Sequence, residues 1–130
     1  MPLKAYQTKV QKEFLRVNLK KGKIDSHLNV IKYQDKDTNQ IVCYIPSLEI
    51  TGYGSDEKRA LDMLHFSVEE FYSFLNDLSP KKIETELFKL GWKHNKLQNK
   101  EYSKAYIDLS GQLKNLNAVD NEVEMLTLEV

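Results

Sequence analysis

Three histidines, one cysteine and 19 carboxylates are the side chains of this 130-residue chain best suited to chemistry. A metal-dependent nuclease site on a sheet needs several carboxylates around divalent ions, because paired metals stabilise both the attacking and the leaving oxygen. The extended stretch His27–Tyr33 contains no Asp or Glu, nor does Gln40–Ile45, and Glu49 is the one acid near the corner that follows. One carboxylate is too few. The histidines do not cluster: His27 opens a strand, His65 lies beside the apolar stripe of a long helix, and His94 falls in a polar, lysine-rich stretch. That spacing offers no ligand set. Cys43 sits among aromatic and aliphatic neighbours and reads as a small core residue. Without a positioned base it is a poor nucleophile, and a lone cysteine allows neither an internal disulfide nor a cysteine-based zinc site. Gly52-Tyr53-Gly54-Ser55 invites a phosphate-binding reading, since helix N-termini attract anions. Asp56 and Glu57 would repel the anion, and the lysine and spacing of a phosphate loop are missing. A tight turn using glycine's backbone freedom is the expectation there. No catalytic, metal-ligating or cofactor-binding residue is expected, and the chain is not expected to be an enzyme.

The elements that would position these residues centre on Gln40–Leu78. Ile41, Cys43 and Ile45 alternate with Val42 and Tyr44, the period of a strand. Pro46 weakens the ladder, and a short extended piece, Leu48 to Thr51, leads to the glycine corner. Ser55 is the expected N-cap of a helix running to Leu78, with Asp56 and Glu57 in its first turn. Leu61, Leu64, Val68, Phe71, Leu75 and Leu78 form its apolar stripe. Upstream, Glu13–Lys20 and His27–Tyr33 read as strands, the second joined to Ile41–Ile45 through a polar hairpin loop, Asp35–Gln40. Downstream, Ser79-Pro80 starts a second helix, Gly91 stops it, and Trp92 supplies the apolar contact of a glycine cap. His94–Lys104 reads as a linker, Tyr106–Leu116 carries mixed signals, and Asn121–Val130 has strand character. The fold class expected is α+β: a small antiparallel sheet of three to four strands covered by a long helix and a second shorter one, with a C-terminal extension. Residues 1–92 form the expected domain, and 93–130 a linker and acidic tail with a possible final strand.

A hydrophobic fraction of 41% supports a real core, and the formal net charge is zero. The charge is unevenly placed. Met1–Lys36 holds nine Lys or Arg against three acids, whereas Asn117–Val130 holds Asp120, Glu122, Glu124 and Glu129 and no base. That balance argues against a generic nucleic-acid binder while allowing a local basic patch at the N-terminal end. No apolar run reaches membrane-helix length and no signal-peptide pattern is present, so a cytoplasmic protein is expected.

The segment Leu28–Tyr33, then Ile41-Val42-Cys43-Tyr44-Ile45-Pro46-Ser47-Leu48, the Gly52-x-Gly54 corner, Asp56-Glu57 and Ala60 together resemble the HicB-type antitoxin family. The match covers about residues 28–92. The resemblance implies a truncated ribonuclease H-like sheet with one face covered by helix. It further implies neutralisation of a HicA-like toxin, an mRNA-cleaving ribonuclease, by occlusion of its RNA-binding and catalytic surface. A homo-oligomer, dimer or tetramer, is expected. Many members carry a C-terminal operator-binding module; here no pair of capped helices follows Trp92 and the end is acidic, so DNA binding is not expected. The alternative is a non-catalytic nucleic-acid-binding regulatory module using Lys4 to Lys23. Partner contacts are assigned to Val123, Glu124, Met125, Leu126, Leu128 and Val130. Two readings of that stretch stand: an edge strand completing the sheet, or strand addition onto a basic partner. The aromatics Phe66, Phe71, Tyr72 and Phe74 likewise read either as core or as part of an interface.

Overall fold

Alternating side chains build one antiparallel sheet. In this computed structural model, which describes residues 13–94, 101–104 and 118–130, the elements are strands β1 (Phe14–Asn18), β2 (Lys23–Asp35), β3 (Ile41–Ile45) and β4 (Ile50–Gly54), helices α1 (Glu57–Asn76) and α2 (Pro80–Lys89), and strands β5 (Trp92–His94), β6 (Glu101–Lys104) and β7 (Ala118–Glu129). The class is α+β, and the described strands form a seven-stranded sheet. It exceeds the three to four strands expected because β5, β6 and β7 join it from the stretch read as linker and tail. Within that linker, 95–100 lie outside the described residues, as do the whole of Tyr106–Leu116 and the first twelve positions.

The register shows how β2 organises the sheet. Residue His27 faces both Phe14 of β1 and Glu129 of β7, while Ile31 faces both Tyr44 of β3 and Met125 of β7. One residue cannot pair twice across the same edge, so β7 occupies one edge of β2 while β1 and β3 share the other, end to end. Between them the ladder is broken. Glu13 fills the break: its carboxylate, almost fully buried, accepts from the Asn29 amide at 2.9 Å and from the Ser47 hydroxyl at 2.8 Å. The Trp92 indole N–H donates to the Ser47 carbonyl at 2.9 Å, tying the end of α2 to the same point. A buried cluster of this kind is stable only when its polar atoms find partners, and no buried side-chain polar atom among the described residues lacks one.

Ile24, Ser26, Leu28 and Val30 of β2 face the helices together with Leu15, Val17, Cys43 and Ile45. Onto them α1 lays Ala60, Leu64, Val68, Tyr72 and Leu75, and α2 adds Ile83 and Leu87. Each helix is capped as its chemistry requires, but α1 begins later than expected. Asp56, not Ser55, is its N-cap, accepting from the Arg59 amide at 2.8 Å. Asp56 has the extended backbone of a cap, and its carboxylate takes the role expected of the Ser55 hydroxyl. Ser79 caps α2 with Pro80 following, and Gly91 (φ 94) ends it, as read from the sequence.

The glycine corner is corrected. Gly52 and Gly54 belong to β4, and neither has a left-handed backbone. The turn lies earlier, at 46–49, where Glu49 takes φ 56 and delays the strand to Ile50. What the glycines provide is room. A Cβ at Gly52 would lie 2.4 Å from the Ala60 carbonyl oxygen and 2.5 Å from the Leu64 amide nitrogen, and one at Gly54 2.6 Å from the Arg59 Cβ. They let α1 press its backbone against β4.

Candidate protein interface

Strand β7 carries all the residues assigned to partner contact except the terminal Val130, which follows it. Val130 exchanges both backbone hydrogen bonds with Ser26, extending the ladder past the strand's end. Leu126, Leu128 and Val130 are half-buried and pack against the helix-side core. Glu124 bonds the Lys32 ammonium at 3.1 Å, and Glu57 at the start of α1 bonds the same ammonium at 2.9 Å. Val123 stands opposite Tyr33 and Met125 opposite Ile31 in the register; their side chains lie outside what the structure describes. The acid–lysine contact is thus made within the chain. Partial burial pulls the Lys32 pKa down, but its bonds to Glu57 and Glu124 outweigh that and hold it above the ordinary lysine value.

The sheet's other face differs. Side chains of opposite parity to Gly52 and Cys43 point away from α1. Tyr33, Val42 and Tyr53 stand side by side across β2, β3 and β4, and Ile31, Tyr44 and Thr51 form the next row. Ile31 is buried yet separate from the helix-side core cluster. Tyr33, Val42 and Tyr44 are partly exposed and Tyr53 is 49% exposed. Among the described residues no helix lies over this face. Its far end is polar: Arg16 sits 5.1 Å above the Phe14 ring and 3.9 Å from Asp25, while His27 stacks on Phe14 and meets Glu129 at 3.3 Å. Burial raises the Tyr33 and Tyr44 phenols, helped by Asp35 beside the first and Glu49 beside the second. Both are neutral at physiological pH.

No protein-family model, curated protein or solved structure matches this chain.

The candidate chemical groups stay apart. Cys43 is fully buried on the helix side, where burial pushes its thiol to about 11. His65 pairs with Glu69 one turn along α1, and His94 stacks on Tyr102 at the opposite end of the sheet from β4. Among the described residues no three His, Cys, Asp or Glu side chains group as metal ligands, and no helix is long and apolar enough to cross a membrane. On α1, Tyr72 belongs to the core and Phe71 is half-buried, while Phe66 and Phe74 are exposed, so the two readings of those aromatics divide between residues. The tyrosine row escaped the sequence reading. Tyr44 shows there as the outward partner of Cys43 and Ile45, but joining it to Tyr33 and Tyr53 requires the strand register.

Proposed function

We propose that this chain is a HicB-like antitoxin, which neutralises a HicA-like mRNA-cleaving toxin by covering its RNA-binding and catalytic surface. The observation that carries the reading is the asymmetry of the sheet. Its helix side is sealed by α1 and α2, and its other side presents partly exposed tyrosines beside an acid-rich final strand. Masking needs a rigid complementary surface and no reactive group, and aromatic side chains are what protein interfaces concentrate. An RNA-binding toxin presents basic side chains, which an acidic, aromatic surface complements. The β3–Pro46–β4–α1 unit also supplies the structural counterpart of the residues that resemble the family. The reading includes a cytoplasmic location, where the mRNA is. It also includes self-association into a dimer or tetramer, for which exposed Phe66 and Phe74 offer apolar area.

Co-expression tests it. A short basic HicA-like protein encoded beside this gene should arrest growth alone and not when this chain is made with it. Unchanged arrest in the presence of soluble, folded chain removes the proposal.

A further inference from the structure

We propose that the face of the sheet turned away from α1 and α2 is a docking surface for arginine side chains of a basic protein partner, with Tyr33, Tyr44 and Tyr53 offering ring faces and Glu49 the counter-charge. This rests on reading the chain as a protein-binding inhibitor and names the chemistry by which it would hold its partner. Guanidinium groups are attracted to aromatic faces and are more weakly hydrated than ammonium groups, so they dock on half-exposed tyrosines at low desolvation cost. The same sheet face already holds one such contact, Arg16 over Phe14. Tyr53, at 49% exposure, is the most open of the three rings. Glu49 is exposed at the turn preceding β4, near enough to Tyr44 to disfavour a phenolate there. Asp35 and Asp37 begin the β2–β3 hairpin at the Tyr33 end, and Glu129 lies at the other. Carboxylates around the rings select against two rival occupants. Nucleic acid could stack its bases on tyrosines, but its phosphates would meet this acidic rim. A second copy would bring this rim against its own, and Arg16 on the same face is already engaged by Phe14 and Asp25. A cationic polypeptide satisfies both rings and rim.

The test uses the full chain and a fluorescein-labelled arginine-rich peptide as the probe, with affinity read by anisotropy and location by amide NMR shifts. Shifts should map to Tyr33, Val42, Tyr44, Thr51 and Tyr53. Tyr53→Ala should weaken binding about fivefold, and Tyr53→Phe, which keeps the ring face, should change it less than about twofold. Tyr53 is exposed enough for both variants to fold, and unchanged melting curves check that. Shifts confined to β7, or equal affinity for Tyr53→Ala, would overturn the assignment. So would an oligothymidylate that displaces the peptide from these tyrosines at equal concentration. Failure of toxin rescue with this map intact removes the antitoxin reading alone; rescue that survives Tyr53→Ala and Tyr44→Ala together removes the docking surface alone.

Discussion

Glu13 does with a side chain what a strand would otherwise do with its backbone. Where β1 stops and β3 has ended, the Asn29 amide faces an edge with no ladder partner, and the carboxylate takes that place while also receiving the Ser47 hydroxyl. Replacing it by alanine strips both donors of this acceptor in a buried setting, at about 1–3 kcal/mol for each group left unsatisfied. Glu13→Ala is therefore expected to lower the unfolding free energy by roughly 2–6 kcal/mol in urea titration, with Glu13→Gln, which keeps one acceptor oxygen, recovering part of the loss. Equal stability of Glu13→Ala and wild type would mean that water replaces the carboxylate. Gly52 makes a second prediction at this scale. Its added methyl would meet helix backbone rather than a side chain able to swing away. Gly52→Ala should destabilise by about 2 kcal/mol or more, through displacement of α1, and Gly22→Ala, with open space around it but φ +59, by about 1 kcal/mol. A smaller loss at Gly52 than at Gly22 contradicts the close approach of helix and strand.

Elements were legible wherever local chemistry decides them. The β2–β3 hairpin, the Ser79-Pro80 start and the Gly91 stop depend on neighbours in sequence, and the structure has each of them. Beyond reach were features set by distant partners. β2 runs past His27–Tyr33 at both ends because β1 and β7 pair with it there, and the role of Gly52 depends on a helix that has yet to be placed. For the interface, inward and outward parity along β3 could be read from Cys43 and Ile45, but the tyrosine row could not. Lys32 illustrates the same limit: nothing in sequence joins it to Glu57 and Glu124, yet its ammonium links β2, α1 and β7. Lys32→Met should cost about 1 kcal/mol, since both ion pairs are partly solvent-screened, and should speed hydrogen exchange at 124–130 more than in β3. The sign of the pH effect follows from the raised pKa. A base held above its unfolded value contributes stability below that value and loses it as pH climbs through the folded one. The wild-type advantage over Lys32→Met should thus be constant through neutral pH, begin to fall near the ordinary lysine value of 10.5 and vanish above the raised folded-state value. Tyr72, whose phenol is raised by burial, also loses stability at alkaline pH, but equally in both proteins; the Cys43 thiol feels the Lys32 charge, so both proteins are compared in a Cys43→Ala background, where the difference isolates Lys32. A difference that persists undiminished well above that pH assigns the effect to packing.

At the scale of the molecule, the question is whether the acidic end is an appendage or a wall. An appendage would leave the remaining chain folded after its removal. As a wall, β7 closes one whole edge of the longest strand, and Leu126, Leu128 and Val130 lean on the same core as Leu28 and Val30. Three half-buried aliphatic side chains contribute roughly 1–1.5 kcal/mol each, so their sum is a large share of the net stability of a small domain, about 5–15 kcal/mol, and comes close to its lower end. A chain ending at residue 117 is therefore expected to lose its cooperative melting transition or to melt far lower, and to aggregate through the bared edge of β2. A chain ending at Trp92 should fare worse, because it also lacks β6, which holds β1 on one side and β5 on the other. Circular dichroism melts of the two truncations decide it. If the shorter chain melts with the midpoint of the whole one, then the sheet is complete without its last strands. The acidic residues would then be free to reach across a partner, and the tyrosine face would lose its claim to be the surface that does so.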